Sequence, residues 1–517
     1  MKDNRSRTFN SFRNVTVAVI CQTATLLISF ISRRFFVKIL GSDYLGIGGL
    51  FQNVLSILSL ADLGFASAIS YTLYKPIAEN DREKISAIVR FYGRIYLIVA
   101  GVILCAGVAL IPFIDLLVSS EISIADTRLY YVLYLTETVG SYLFVYKSVL
   151  ITADQRKYVT NVIHTAVTLA ASIAKLIVLY FTKSFTAYLA VQIIGVIASN
   201  LAVSKKAEKD YPYLLTDKNE LESSEKKKIF SDVRSLFAYK IGHVILYHTD
   251  SILISLLVST TVVGFYSNYT LLTGTVMTFS ELIFGALGAS IGNLKETSDR
   301  QRMSDTFDTV NFVSFFVYGF CSVCLFCMMD DFVGMFFGEK YVLGTLTAFI
   351  ISFNVFIPGM QSSVMHFRQA LGMFRQTKYV YLITSALNLV LSVILGKFFG
   401  LNGILMATGI ARILTNVWYE PYVLMKKYFE KSYLRYLLRL GIYYALFILS
   451  CAAVYLIKRR FFTPSFWGFV AELVVCVFGT AAVYCAIFAR TREFRDIVGR
   501  SVSILEKLGL KRPKNKN

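Results

Sequence analysis

The sequence is short of charge. Only 17% of its 517 residues are Asp, Glu, Lys or Arg, where an ordinary soluble domain carries about a quarter, and 56% are hydrophobic. That deficit excludes a string of water-soluble domains, although the length would hold three. No GxxxxGK[ST] phosphate loop occurs, which excludes nucleotide hydrolysis in the manner of a primary pump. HExxH, a serine nucleophile elbow and paired acids in a large loop are also missing, so no enzyme is expected. The eight cysteines all fall inside apolar runs, where they behave as small hydrophobes and form no disulfide framework. Cys321, Cys324 and Cys327 would share one side of a helix, but no acid or histidine lies among them, and no metal or other cofactor is expected. The polar start to Arg13 leads into an apolar run too long for a signal-peptide core, so that run is expected to stay as a helix.

What is present is a succession of apolar runs about twenty residues long, enough to cross a hydrocarbon core roughly 30 Å thick. They predict an all-α polytopic membrane protein of about 14 transmembrane helices. The runs lie near 14–40, 44–74, 88–112, 127–151, 159–181, 185–203, 235–258, 263–294, 306–329, 342–367, 378–398, 402–424, 435–457 and 466–488. The first, second and eighth exceed what a bilayer needs and should tilt or project from it.

A net charge of +20 would suggest nucleic acid in a soluble protein. Here the basic residues occupy short segments between apolar runs, where they orient the chain, and no nucleic-acid partner is expected. Alternate connections, starting from the N-terminal side, hold forty Lys and Arg against ten on the other side. Basic loops stay in the cytoplasm, so both termini are expected there. The run Lys226-Lys227-Lys228 belongs to the longest connection and reads as a solvated topology signal.

The chain repeats itself. Tyr146-Lys147-Ser148-Val149-Leu150 through Gln155-Arg156-Lys157-Tyr158-Val159 recurs as Phe367-Arg368-Gln369-Ala370-Leu371 through Gln376-Thr377-Lys378-Tyr379-Val380. Both copies fall between a fourth and a fifth span. Ser59, Asp62 and Leu63 echo as Thr278, Glu281 and Leu282. Two six-helix repeats of the same orientation follow, forming N- and C-lobes with two extra C-terminal helices. The predicted layout is an N-lobe over 1–204, a cytoplasmic linker over 205–234, a C-lobe over 235–424, the added pair over 425–489 and a basic tail over 490–517.

A charge at the bilayer centre costs roughly 2.5–3.5 kcal/mol on insertion scales, so such residues face a cavity or a partner. The cationic candidates are Arg33, Arg34, Lys175 and Arg412. Arg33 and Arg34 sit near the outer edge, where snorkelling competes with a cavity role. Lys175 and Arg412 lie deeper and favour a cavity, with an internal ion pair as the alternative. A guanidinium in a wet cavity suits diphosphate, because its planar fork donates paired charge-assisted hydrogen bonds. The acidic candidates Asp62, Glu137, Asp250 and Glu281 either bind a coupling ion, Na+ or H+, or neutralise neighbouring bases; Glu472 is a further acid at membrane depth. His164, His243 and His248 read as hydrogen-bonded structural residues, and Pro358-Gly359 as a kink in the tenth span.

The stretches Gly41-Ser42-Asp43-Tyr44-Leu45-Gly46 and Ala61-Asp62-Leu63-Gly64-Phe65 resemble the polysaccharide transporter branch of the multidrug/oligosaccharidyl-lipid/polysaccharide exporter superfamily. Asp250-Ser251-Ile252-Leu253-Ile254 followed by Val263-Gly264-Phe265-Tyr266 is the similar segment of the second half. The resemblance implies a Wzx-type flippase of the bacterial cytoplasmic membrane. Its substrate would be an oligosaccharide linked to undecaprenyl diphosphate, moved to the outer leaflet by alternating access through a cationic cavity. Implied partners are that lipid-linked oligosaccharide, membrane lipids and other polysaccharide-assembly proteins. Lipid II flippases are similar too, with an Arg in the first helix near where Arg33 or Arg34 stands. The added helices would give a lateral groove for the polyprenyl tail. A cation-coupled multidrug exporter of the same superfamily is the alternative.

Overall fold

The computed structural model describes residues 4–62, 65–119, 122–216, 219–297, 300–373, 376–461 and 465–507; the backbone alone is described at 4–12, 61–62, 66–68, 228, 232, 234–236, 238, 286–290, 292–297 and 500–507. Among the described residues every regular element is a helix. In order they are α1 (Asn4–Leu40), α2 (Ser42–Leu58), α3 (Phe65–Glu79), α4 (Arg82–Leu110), α5 (Ile114–Leu117), α6 (Ile124–Tyr142), α7 (Ser148–Ala153), α8 (Lys157–Thr182), α9 (Phe185–Asp210) and α10 (Tyr213–Thr216). There follow α11 (Ser223–Leu257), α12 (Thr260–Thr297), α13 (Arg300–Ser314), α14 (Phe320–Phe337), α15 (Thr345–Ala370), α16 (Val380–Leu414), α17 (Asn416–Leu424), α18 (Tyr433–Phe461), α19 (Phe466–Phe488) and α20 (Arg492–Lys507). Nine helical stretches among the described residues are long and apolar enough to cross a membrane. The protein is a multi-pass membrane protein.

Polar side chains mark where spans begin. Asp81 accepts from Lys84 N at 3.0 Å to start α4, Ser123 from Asp126 N at 3.2 Å to start α6, and Ser184 from Ala187 N at 3.3 Å to start α9. Each satisfies a backbone donor that the first helical turn leaves open.

Several spans are less regular than their apolar runs predict. The run 44–74 is α2, a 3-10 turn over Ser59–Asp62, and α3. The Ser59 hydroxyl donates to Leu55 O at 2.8 Å at this break. The run 127–151 stops at Tyr142, Phe144 takes a left-handed conformation (φ 67°), and α7 follows. At the expected gap between the eleventh and twelfth spans the turn is made within α16 by Gly400 (φ 56°, ψ −134°), where a side chain would be strained. Pro358 lies inside the unbroken α15, and a Cβ on Gly359 would come 2.2 Å from Tyr318 Cγ, so this pair lets an aromatic ring approach the backbone.

Hydropathy does not see helices that leave the membrane. In the segment 205–234, α9 continues to Asp210, supported by a Lys206–Asp210 pair one turn apart at 2.7 Å, and α11 begins at Ser223. In the basic tail, α20 packs on α13 through Phe494 against Phe312 (6.5 Å between centroids) and Arg492 with Asp305 (3.2 Å).

The chain forms two compact units: Met1–Asn268 with Lys378–Ala407, and Tyr269–Thr377 with Thr408–Asn517. In the first, α8 packs between α1 and α9, and α6 lies against α9. Phe185 joins them, with edge contacts to Phe36, Tyr44 and Tyr130 at 5.7, 5.2 and 4.8 Å. In the second, α14 packs on α15 and α19. Stacked rings fill that core, Phe315 with Tyr443 at 4.3 Å and Phe356 with Phe447 at 4.4 Å.

Inside the first unit α2 and α12 cross closely: a Cβ on Gly46 of α2 would lie 2.0 Å from Thr260 O, and one on Gly264 of α12 would lie 2.3 Å from Ser42 O. The contact is reciprocal, each glycine seating the residue four before the other, as expected of a pseudo-two-fold crossing. Thr261 Oγ1 donates to Asp43 Oδ1 at 2.5 Å beside it. The duplicated basic motif lands differently in the two halves: Lys147 ends a 3-10 turn just before α7, with α8 to follow, whereas Arg368 lies within the last turn of α15, with α16 to follow.

Candidate functional site

Three of the predicted charges are brought together in the first unit. Arg33, on α1, is half-buried and donates through Nη1 to Ser267 Oγ (3.0 Å) and Asn268 Oδ1 (3.3 Å) of α12. Lys175, on α8, is half-buried; its Nζ donates to Gln192 Oε1 at 3.2 Å and lies 4.9 Å from the centre of the Tyr188 ring, both on α9. Gln192 Nε2 in turn donates to Glu137 Oε2 on α6 at 2.8 Å. Tyr134, one turn before Glu137, and Tyr188 lie within electrostatic reach of Arg33, and Tyr134 also of Glu137. One polar patch therefore draws on α1, α6, α8, α9 and α12.

The side chains that bind the two cations are neutral. Among the described residues neither Arg33 nor Lys175 lies within ion-pair distance of a carboxylate; Arg33 meets Ser267 and Asn268, and Gln192 stands between Lys175 and Glu137. A glutamine turned both ways, accepting from the ammonium and donating to the carboxylate, fixes both groups without cancelling either by contact. The arrangement can hold an anion: a guanidinium offers a fork and an ammonium a point charge on two adjacent helices. It offers no nucleophile paired with a base.

The other candidates are dispersed. Arg34 is exposed on α1. Asp250 is half-buried on α11, near His248, whose Nδ1 lies 2.7 Å from Asn53 Oδ1; Asn53 Nδ2 donates to Ser251 Oγ at 3.2 Å. Asp62 ends the 3-10 turn, and its side chain lies outside the described residues. In the second unit Glu281 is exposed on α12, within electrostatic reach of His366 on α15. Arg412 is buried (4% exposed) on α16, near Tyr444 of α18.

Sequence reasoning missed two charge clusters of the second unit. Arg368, placed among the loop bases by its flanking polar residues, is buried against Glu420 of α17 at 3.0 Å. Lys458, also placed in a loop, folds back onto Asp331, Glu472 at 3.1 Å and Cys327 O at 2.7 Å. Cys327 donates to Glu472 Oε1 at 2.8 Å. These groups cap a cavity of about 390 Å³ between α18 and α19, lined by Leu446, Leu449, Val454, Val475, Val483 and Ile487. Tyr134, Tyr188 and Gln192 were missed because uncharged residues in an apolar run give no signal of their own.

The helical arrangement is similar to those of a lipid II flippase and of MATE multidrug transporters. A lipid II flippase, MurJ in an inward closed conformation, superposes with a TM-score of 0.67 over 93% of this chain and 100% of its own at 14% identity. The MATE multidrug transporter DinF-BH gives 0.61 over 83% of this chain and 97% of its own at 13% identity. The Vibrio cholerae MATE transporter VcmN gives 0.59 over 83% and 98% at 12% identity. In sequence the chain is 22% identical over 214 residues to the "Probable low-salt glycan biosynthesis flippase Agl15" of Haloferax volcanii. That match takes in 40% of this chain and 45% of the relative, so less than half of the relative is matched. No family model matches the sequence.

Proposed function

We propose that the protein is a flippase that carries an oligosaccharide linked to undecaprenyl diphosphate across the bacterial cytoplasmic membrane, for synthesis of a surface polysaccharide. The observation that carries this reading is the pair of half-buried cations, Arg33 and Lys175, held within the helical bundle by neutral acceptors and a tyrosine face. Cations so placed are left to pair with a phosphorylated headgroup. Each charge-assisted hydrogen bond to a phosphate oxygen contributes about 1.5–3 kcal/mol, which offsets part of the cost of stripping the headgroup of water.

The apolar cavity between α18 and α19 suits a stretch of polyprenyl chain, with Lys458 at its polar end. A glycan biosynthesis flippase and a lipid II flippase among the similar proteins support the substrate class. In this reading both termini are cytoplasmic, transport is by alternating access, and Glu137, Asp250 and Glu281 are the groups available to a coupling Na+ or H+. The multidrug exporter alternative is less well supported: the MATE transporters cover 83% of this chain where MurJ covers 93%.

Depletion in the native host tests the proposal. The lipid-linked oligosaccharide should accumulate in the inner leaflet, and a plasmid copy carrying Lys175→Ala or Arg33→Ala should reach the membrane yet fail to restore surface polysaccharide. Normal export during depletion would remove the reading, and resistance to cationic drugs lost in its place would favour the exporter.

A further inference from the structure

Arg368 of α15 and Glu420 of α17 form a pair that no step above uses. They meet at 3.0 Å with 1% and 0% of their surfaces exposed. The repeat supplies an internal comparison. Lys147, the counterpart of Arg368, also pairs with a glutamate from the last long helix of its half, Glu208 of α9, but those side chains are 13% and 29% exposed. Taking an ion pair fully out of water carries an effective penalty of several kcal/mol per ion, which a well-packed apolar pair would avoid. One half thus keeps the pairing where water reaches it, and the other hides it.

The hidden pair lies among polar atoms that lack hydrogen-bond partners. Among the described residues these include both oxygens of Glu420, whose contact with Arg368 is not aligned as a hydrogen bond, Gln361 Oε1, Ser362 Oγ, Asn416 Oδ1 and the Tyr436 hydroxyl. Asn416 and Glu420 are one turn apart on α17, and Gln361 Nε2 reaches Val417 O at 3.4 Å, so α15 and α17 share one polar seam. Tyr436 of α18 lies within electrostatic reach of Glu420. Buried polar atoms are satisfied in the great majority of cases, and a seam with this many open acceptors has the partners that ordered water needs.

We propose that this seam holds water and that Glu420 exchanges a proton with it, as a site of proton binding built between α15 and α17. Hydronium gives its proton to the carboxylate, leaving a carboxylic acid and a water molecule, while the Arg368 guanidinium keeps its charge. Among the described residues, the charged group against Glu420 is Arg368 from α15, and the titratable Tyr436 from α18 lies within electrostatic reach of it. α13, packed on α15, carries Asp308, which is held by Arg439 at 3.0 Å, and Lys426 and Lys427 beyond α17 are exposed. Protonation removes the charge that ties α17 to α15, so proton uptake loosens the two helices. That consequence rests on the transport reading; the proton site itself does not.

Infrared difference spectroscopy on the purified full chain, stepped between about pH 5 and pH 9, tests it. A carboxylic acid band that shifts in heavy water should appear, be absent from Glu420→Gln, and persist in Glu208→Gln. If Glu420→Gln does not fold, Arg368→Lys decides: the midpoint of the band should move in that variant and stay unchanged in Glu208→Gln. Spectra of Glu420→Gln identical to those of the unmodified protein, or a midpoint indifferent to Arg368→Lys, would overturn the site. The spectra need no substrate, so their failure leaves the flippase reading standing, and a failed flipping assay leaves the proton site standing.

Discussion

The crossing of Gly46 and Gly264 yields a prediction with two equal arms. A Cβ on Gly46 would stand 2.0 Å from a backbone oxygen, and one on Gly264 2.3 Å from another. Carbon and oxygen normally approach no closer than about 3.2 Å, so either alanine must push α2 from α12 by roughly 1 Å, and neither backbone can rotate aside as a side chain could. Overpacking of this kind costs about 1–3 kcal/mol, and separating the Asp43–Thr261 hydrogen bond beside it adds about 1 kcal/mol. Each single substitution should therefore destabilise the protein by about 2–4 kcal/mol. Once one alanine has opened the crossing, the second meets less resistance. The double variant should be less unstable than the sum of the singles, by about 1–2 kcal/mol. Denaturation of the purified protein and its three variants in one detergent measures this. Singles as stable as the parent, or strictly additive losses, would refute the crossing.

Two further outcomes follow from side-chain geometry. Gln192→Leu removes the group between Lys175 and Glu137 and strands both inside the bundle; polysaccharide export should fall about tenfold or more while Gln192→Glu, which pairs with Lys175 but repels Glu137, falls as well, and equal export from both variants and the parent would contradict the bridge. Gly359→Val should destabilise by about 1–3 kcal/mol because Tyr318 lies 2.2 Å from the first added carbon, and Tyr318→Ala should relieve that loss, as seen in thermal unfolding of the pair.

The spans were legible because lipid imposes a length and an apolarity that a sequence displays directly. Breaks within them were harder to see. Gly400 stands at the expected gap, whereas the 3-10 turn at Ser59–Asp62 falls inside a run that reads as continuous. The same limit governs the site. Arg33, Lys175 and Glu137 stood out as charges within apolar runs, and the fold gathers them. Arg368 did not, since a basic residue beside polar neighbours reads as a loop until a carboxylate more than fifty residues away is found against it. Lys458 was hidden in the same way, its stem long enough to return from a helix end to Glu472. Periodicity reports the environment of a run of residues, and ion pairs between distant helices are set by packing that no local pattern records.

The central claim is that Arg33 and Lys175 hold a diphosphate headgroup. Purified protein reconstituted into liposomes with a fluorescent oligosaccharide on undecaprenyl diphosphate, followed by quenching from one side, measures translocation directly. The parent should exchange the probe between leaflets; Arg33→Ala and Lys175→Ala should each slow exchange by about tenfold or more, the equivalent of at least 1.4 kcal/mol, and Lys175→Arg should retain most of it. Parental rates from both alanine variants, in liposomes holding equal amounts of folded protein, would contradict it.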